Sequence, residues 1–246
     1  MQLFITEFEK KWESIKISNP EILAQIRKVL RMKIWDDFFV QNENIRYKLQ
    51  ITDRDDKNIF WNIIDSIDYS EPVDENWITI AMSNKRNTME TIVQKLSEIW
   101  IKHIYFRPSE RSIIRERNEK KLERINKIAK EAVEQSRWRF LPEIKFEKDI
   151  SKIIEWKNII IFDKCENKIC PHLLKGGCSL AKQDRGIFKN SNTVPIIWII
   201  LPEWWLTDND YRTFWDKIKT VSLWDTVLRT ETASIIAART IKNILN

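Results

Sequence analysis

The stretch VPIIWIILPEWWLT, Val194 to Thr207, decides how the chain is read. Val194 to Leu201 is a continuous apolar run, the pattern of a strand covered on both faces, which is how strands of a parallel sheet are buried. It is far too short to cross a bilayer. Pro202-Glu203 ends the run, and Thr207 opens a helix through Trp215 with Asp210 at its third position. Between them stand Trp204 and Trp205, two of the bulkiest side chains at a place where a chain turns and small residues belong.

Working outward, the same kind of strand recurs and alternates with helices. Lys157 to Phe162 is a second continuous apolar run, and Trp77 to Met82 and Ile104 to Phe106 read as further strands. Thr88 to Ile99 carries Met89, Ile92, Leu96 and Ile99 on one helical face. Asn118 to Ser136 carries Leu122, Ile125, Ala129, Ala132 and Val133, and a last helix runs from about Thr232 to Leu245. Such alternation predicts an α/β domain with a largely parallel sheet over residues 75–246. Residues 1–72 read as a smaller β-rich unit: a helix begins at Asn19-Pro20 and carries Ile22, Leu23, Ile26, Val29 and Leu30. A turn falls at Trp35-Asp36 before Phe38-Phe39-Val40, and Arg46 to Thr52 and Asn58 to Ile64 are strands. Ser70 to Asp74 links the two parts.

The 246 residues are 43% hydrophobic and 32% charged, the balance of a globular protein. The beginning, MQLFITEFEKK, lacks the pattern of a secretory signal, and three cysteines do not suggest a disulfide framework, so a reducing cytoplasm fits best. Net charge is +6, and residues 102–139 hold twelve Lys/Arg against six Asp/Glu. A basic stretch of this kind is the footprint of a phosphate-backbone ligand or, equally, a solvated helix face laced with ion pairs. Charge alone leaves both open.

Glycine is scarce. About 17 are expected at the average frequency of ~7%, and there are 3, whereas tryptophan occurs 12 times. The positions of the tryptophans gain meaning from a resemblance. VSLW, Val221 to Trp224, followed by LRTETA, Leu228 to Ala233, resembles the V-S-L-G…L-R-T-E-T-A segment of the ribosomal RNA small-subunit methyltransferase E family. Leu201-Pro202-Glu203-Trp204-Trp205 stands where that family has G-P-E-G-G. QKLSEIW, Gln94 to Trp100, resembles Q-K-x-T-E-L-G. KLERINKIAKEAVEQS, residues 121–136, with Leu141-Pro142-Glu143, resembles the family's K-L-E-R helix and L-P-E exit, and KVLRMKIWDD resembles K-V-L-R-x-K-x-G-D. Five segments match in order over nearly the whole chain. At Trp35, Trp100, Trp204, Trp205 and Trp224, tryptophan replaces glycine. One codon reading accounts for all five: UGA specifies glycine in the source cell and is rendered as tryptophan here. Leu201, also at a glycine position, is not explained by it, and the arginine that the family carries after Q-S has no clean match in Arg137-Trp138-Arg139.

The resemblance implies a PUA-like β-barrel followed by a SPOUT domain with a C-terminal trefoil knot. It also implies methylation of N3 of a uridine in 16S ribosomal RNA, with S-adenosylmethionine as methyl donor and no metal, in a homodimer acting on the small subunit. The cofactor-binding set it implies is Leu201, Pro202, Glu203, Trp204, Trp205, Leu223, Trp224, Val227, Leu228, Thr230, Thr232 and Ala233. Arg229 and Glu231 lie in the best-matched segment: Arg229 is suited to a substrate phosphate or a uracil oxyanion, and Glu231 to orienting it. An ion pair that only stabilises the knot is the competing role. Arg111 reaches substrate across a dimer or is a solvated surface arginine. Arg31, Lys121, Arg124, Lys127, Arg137 and Arg139 are the candidate contacts to RNA phosphate, which position RNA without reading its bases.

Cys165, Cys170, His172 and Cys178 depart from the family pattern. Their spacing is not a standard zinc arrangement, and a loop insertion without metal is preferred over a zinc knuckle. His103, at the start of a strand, reads as a hydrogen-bonded structural histidine rather than a base. Two alternatives to the methyltransferase reading stand: an RNA-binding pseudoenzyme whose pocket is filled by genuine tryptophans, and a SPOUT methyltransferase for another RNA site.

Overall fold

A computed structural model describes residues 1–11, 14–42, 44–55, 59–69, 76–83, 85–107, 119–147, 158–162, 196–200, 218–221 and 228–245. The chain forms two compact units. The first comprises Met1–Val73 with Lys130–Phe140, and the second Asp74–Ala129 with Leu141–Asn246.

In the first unit, β1 (Gln2–Ile5), β4 (Asp37–Asn42), β5 (Ile45–Arg54) and β6 (Ile59–Asp68) form one sheet in the order β1-β4-β5-β6. β1 joins β4 in parallel, and the other pairs are antiparallel. A separate hairpin joins β2 (Glu9–Lys11) to β3 (Ser14–Lys16). Among the described residues the four-stranded sheet is open, with β1 and β6 at its edges. Alternation along the strands sends Phe4, Phe38, Val40, Leu49 and Ile51 inward, where Ile22 and Ile26 meet them. Phe38 packs edge-on against Phe4 and Trp61, with ring centroids 5.9 and 5.8 Å apart, a favoured aromatic geometry. The Trp61 indole N–H donates to the Ile15 carbonyl at 2.6 Å, so this buried tryptophan has its polar group satisfied.

The helix starting at Pro20 begins as the sequence predicts: the Asn19 side chain accepts from the Glu21 amide at 2.9 Å. It does not continue as an α-helix to Leu30. α1 (Pro20–Ala24) passes into a π-helical turn over Gln25–Val29, closed by Leu30 N–H to the Gln25 carbonyl. The wider turn shifts the register after Ile26. Val29 and Leu30, expected on the buried stripe, are exposed.

The second unit is built on six strands, all parallel, in the order β12-β10-β11-β7-β8-β9. They are β7 (Asn76–Ala81), β8 (His103–Arg107), β9 (Glu143–Phe146), β10 (Asn158–Phe162), β11 (Ile196–Ile200) and β12 (Ile218–Val221). β9 and β12 carry too few apolar residues to stand out in the sequence. α2 (Arg86–Glu98), α3 (Glu119–Ser136) and α4 (Thr230–Leu245) are the described helices linked to this sheet. The core gathers Ile78, Ile80, Ile104, Phe106 and Ile144 from the strands with Met89, Ile92, Val93 and Leu96 from α2, Ile125 and Ala129 from α3, and Ala237 and Ala238 from α4. The helical stripes expected from periodicity are therefore the faces that pack. The helix expected over residues 207–215 lies outside the described residues. None of the described helices is long and apolar enough to cross a membrane.

Ile92 is fully buried at the centre of α2. Ile92→Ala is expected to cost about 2–5 kcal/mol of unfolding free energy, the range for buried large-to-small changes, read from urea denaturation.

Candidate active site

The order of the strands sets where a site can form. From β7 the chain moves to β8 on one side, whereas β11, hydrogen-bonded to β7, leads to β12 on the far edge of the other side. Ile200, the last residue of β11, pairs with Ile80 of β7. Adjacent parallel strands whose connections diverge open a crevice at their carboxyl ends, and open α/β sheets bind ligands there. The segment leaving that end of β11 begins Leu201-Pro202-Glu203-Trp204-Trp205. α4 packs against both β7 and β11 and against α2.

The described part of the LRTETA segment forms the entry to α4. The Arg229 carbonyl accepts the Ala233 amide at 2.9 Å, the first helical bond, so Arg229 stands at the cap and its side chain is exposed. Glu231 lies in the first turn, where its charge complements the positive end of the helix dipole. Thr230 and Glu231 are half-buried, Thr232 is exposed, and the Ser234 hydroxyl donates back to the Thr230 carbonyl at 2.7 Å. Among the described residues no ion pair links Arg229 to Glu231, the structural role weighed from sequence. Leu228 and Ala233 are half-buried beside them. Arg111, Leu201, Pro202, Glu203, Trp204, Trp205, Leu223, Trp224 and Val227 lie outside the described residues, as do Cys165, Cys170, His172 and Cys178. Among the described residues no group of His, Cys, Asp and Glu is arranged to hold a metal ion.

The basic candidates fall into different environments. In the second unit, Arg124 is committed to Glu90, with Nε to Oε1 at 2.6 Å and Nη2 to Oε2 at 3.2 Å. Glu90 also receives Arg86 Nε at 2.8 Å. The hydrogen bond from Arg124 is the largest of the effects that hold the Glu90 carboxyl below its ordinary range. Lys127 is exposed, and burial lowers the affinity of the half-buried Lys121 amine for its proton. In the first unit, Arg31 and Arg137 are exposed and adopt left-handed backbone, with φ of 50° and 56°.

A residue not singled out in the sequence organises the last group. Arg46, 6% exposed, sits on β5 with no carboxylate beside it among the described residues. Its guanidinium donates twice to Gln41 Oε1, at 2.9 and 2.7 Å, and to the carbonyls of Arg137 and Trp138, at 3.2 and 2.7 Å. It lies over the rings of Phe39 and Tyr69. Arg139 lies over Tyr69, Trp138 and Phe140, 5.3–5.9 Å from their centroids, and its buried Nε has no hydrogen-bond partner among the described residues. Burial, followed by the charge of Arg137, draws the Arg46 guanidinium below its ordinary value, with Tyr69 acting in the opposite direction. Arg46, Arg137 and Arg139 thus gather with the rings of Phe39, Tyr69, Trp138 and Phe140 without an acidic partner among the described residues. Only the tertiary contact between β5 and the segment after α3 reveals this, since residues 46 and 139 are remote in sequence.

With this geometry in hand, a family model described as an RNA methyltransferase domain matches residues 71–242. The chain belongs to that family. The family resemblance read from the LRTETA and PEWW segments is thereby upheld. Three solved structures share its fold. One is a ribosomal RNA small subunit methyltransferase E from Neisseria gonorrhoeae bound to S-adenosyl methionine, with 18% identity, TM-score 0.71 and coverage of 99% of this chain and 98% of the other. Another is a "probable rRNA-methyltransferase" from Porphyromonas gingivalis, with 21% identity, TM-score 0.66 and coverage of 99% and 98%. The third is a "predicted RNA methyltransferase" from Thermotoga maritima, with 18% identity, TM-score 0.64 and coverage of 99% of both chains. No protein in the curated set matches the chain.

In this member of the family, His103 has the structural surroundings expected of it. Its ring stacks on Trp77 at 4.6 Å, and Nδ1 lies 2.8 Å from Glu143 Oε2, which also accepts from the Tyr105 hydroxyl at 2.8 Å. Lys145 pairs with the other oxygen. Burial alone raises the Glu143 pKa, but hydrogen bonds from Lys145, His103 and Tyr105 outweigh it, and the carboxyl falls to about 2. Because the folded value lies below the ordinary ~4.3, this carboxylate stabilises the fold above that pH. Its contribution is lost as pH falls through about 2. Glu143→Gln is expected to lower the thermal midpoint at pH 7 and to flatten its decline between about pH 4.5 and 2, checked by thermal melts across that window.

Proposed function

We propose that this chain transfers a methyl group from S-adenosylmethionine to N3 of a uridine in 16S ribosomal RNA, acting in the cytoplasm as a homodimer on the small subunit. The observation that carries this reading is the agreement of the family match with the place of its best-matched segments in the fold. The family match spans the parallel sheet, and the two best-matched segments leave the carboxyl end of β11 and enter α4, the elements bordering the crevice. A C-terminal trefoil knot in the second unit and a PUA-like barrel in the first belong to the same proposal.

The sulfonium of S-adenosylmethionine supplies an activated methyl group. Uracil N3 would receive that group after releasing its proton to solvent, with S-adenosylhomocysteine as the product that leaves. The protein's share is to hold the two in line and to favour the N3 anion. Arg229, exposed at the head of α4, is the residue for the negative charge that develops on the uracil oxygens or for the adjoining phosphate. Glu231, within the first turn at the positive end of the same helix, would orient Arg229 once substrate is bound. The residues that would hold the methyl donor are the backbone and side chains at 201–205, 223, 224, 227, 228, 230, 232 and 233. Of these, Thr230 offers a half-buried hydroxyl at the helix entry. Arg111 would reach the substrate from the second subunit. Bound uracil must be unstacked from its neighbours, as for any enzyme acting on a base edge.

Arg137 and Arg139, with Tyr69, Trp138 and Phe140, form the RNA contact of the first unit. Like charges gathered without carboxylates among the described residues are relieved by phosphate, and aromatic faces accept unstacked bases. Arg31 and Lys127 add solvent-exposed charge, and Arg124 would exchange Glu90 for phosphate.

The competing reading, an RNA-binding pseudoenzyme, is favoured by tryptophan at 204, 205 and 224. Both are tested by small subunits lacking the modification, incubated with labelled S-adenosylmethionine and the chain carrying glycine at 204, 205 and 224. Label on uracil N3 supports the methyltransferase. RNA binding without any label supports the pseudoenzyme. In the active chain, Arg229→Ala is expected to lower kcat/KM by about 100-fold, the scale for one charge-stabilising donor. Arg137→Ala with Arg139→Ala is expected to leave methyl-donor binding unchanged and to weaken RNA binding. The slope of log affinity against log salt should become shallower by about 0.7–0.9 for each phosphate that the pair neutralises.

A further inference from the structure

All 3 glycines of the chain, Gly176, Gly177 and Gly186, fall within one short stretch outside the described residues, so none serves any described turn or helix end. Four described residues nevertheless hold left-handed φ: Arg31, Trp35, Trp100 and Arg137. Such φ is uncommon for any side chain, and for a bulky one it is an outlier, because Cβ crowds the following carbonyl. Two of the four fall on tryptophan.

Each tryptophan occupies a position with a defined demand for glycine. Trp100 follows α2 with φ of 73°. Its amide donates to the Ser97 carbonyl at 3.2 Å, and the Ile101 amide donates to the Leu96 carbonyl at 3.0 Å. These are the two bonds of a Schellman motif with residue 100 at the left-handed position where glycine is the usual occupant. The accompanying apolar contact is present too, since Leu96 and Ile101 are both buried in the same core cluster. Trp35 has φ of 76° and is the third residue of a turn closed by the Asp36 amide on the Lys33 carbonyl at 3.1 Å. Ile34, the second residue, is not left-handed. This is the type II pattern, whose third position requires glycine or, less often, asparagine. The turn cannot relax, because the Trp35 amide donates to the Ile51 carbonyl at 2.8 Å and the Ile51 amide to the Asp36 carbonyl at 3.1 Å.

Left-handed φ by itself does not decide the matter, since Arg31 and Arg137 share it. The side chains do. Trp35 is 70% exposed and Trp100 41%, so neither indole delivers the burial that normally offsets a backbone penalty. Trp61 and Trp77 contrast with them. Both lie in strands with ordinary φ, are less than a tenth exposed, and pack against Phe38 and His103. We infer that residues 35 and 100 are glycine in the polypeptide made by the source cell, specified by a UGA codon read there as glycine. The backbone at these two sites carries the inference independently of the family motifs and of any activity.

The decisive measurement is the mass of two tryptic peptides from the native protein, Ile34–Arg46 and Leu96–Lys102. Both are expected to be lighter than the written sequence by the difference between a tryptophan and a glycine residue, with UGA at both codons. Tryptophan masses, or UGG codons, at these positions overturn the inference. A second measurement uses the chain as written. Trp35→Gly and Trp100→Gly are each expected to raise the thermal midpoint by about 2–4 °C, as relief of a left-handed bulky residue in a chain of this size implies. Trp61→Gly is expected to lower it by more than about 6 °C through loss of a buried aromatic. Equal losses for all three variants would overturn the inference. Neither readout involves methyl transfer, so an inactive enzyme would leave it standing.

Discussion

The pairing of β11 with β7 is the contact on which the second unit depends. It joins Ile196–Ile200 to Asn76–Ile80 in parallel register, closing more than a hundred residues of chain between them. Parallel pairing cannot be made by a tight turn, so the intervening chain must cross over the sheet. Once β7 sits between β11 and β8, both its edges are hydrogen-bonded, and with helices packed on the sheet its burial is complete along its length. The same pairing brings together two strands whose onward connections diverge, the topology at which open α/β sheets bind ligands. Core and candidate site therefore arise from one register.

The first unit solves a different problem. Its sheet is small, and its inner face is filled by aromatics at edge-on geometry rather than by aliphatic layers. Arg46 is the cost of joining β5 to the segment after α3. A buried guanidinium without a carboxylate is tolerated only because Gln41 and two backbone carbonyls satisfy its donors. The side chains gathered around it, Arg139 above all, leave positive charge and aromatic faces on one side. A structural clamp and the surface proposed to meet RNA thus draw on the same residues.

Much of this was legible beforehand. The apolar runs at 158–162 and 196–200 and the helical stripes of α2 and α3 read directly, because burial on both faces or on one stripe leaves a periodicity that survives in the sequence. The turn at Trp35-Asp36 was legible from its place before Phe38. The edge strands β9 and β12 were not, since an edge strand needs fewer apolar residues. Nor was the π turn after Ala24, which has no local signature. In the site, the helix entry at Arg229 and Glu231 was marked by motif, whereas Arg46 and its neighbours were not, because their meeting depends on a contact spanning about ninety residues.

By itself the sequence determined the alternation of strands and helices, the family through its ordered motifs, and the anomaly of scarce glycine beside abundant tryptophan. Composition and local pattern are written in nearest neighbours and need no folded context. Only the tertiary structure decided strand order, the divergence of the chain after β7 and β11, the commitment of Arg124 to Glu90, and which tryptophans sit where a Cβ is unwelcome. Those depend on hydrogen bonds between distant residues. Residues 35 and 100 are left-handed because Ile51 in one case and the core around Leu96 and Ile101 in the other hold them there.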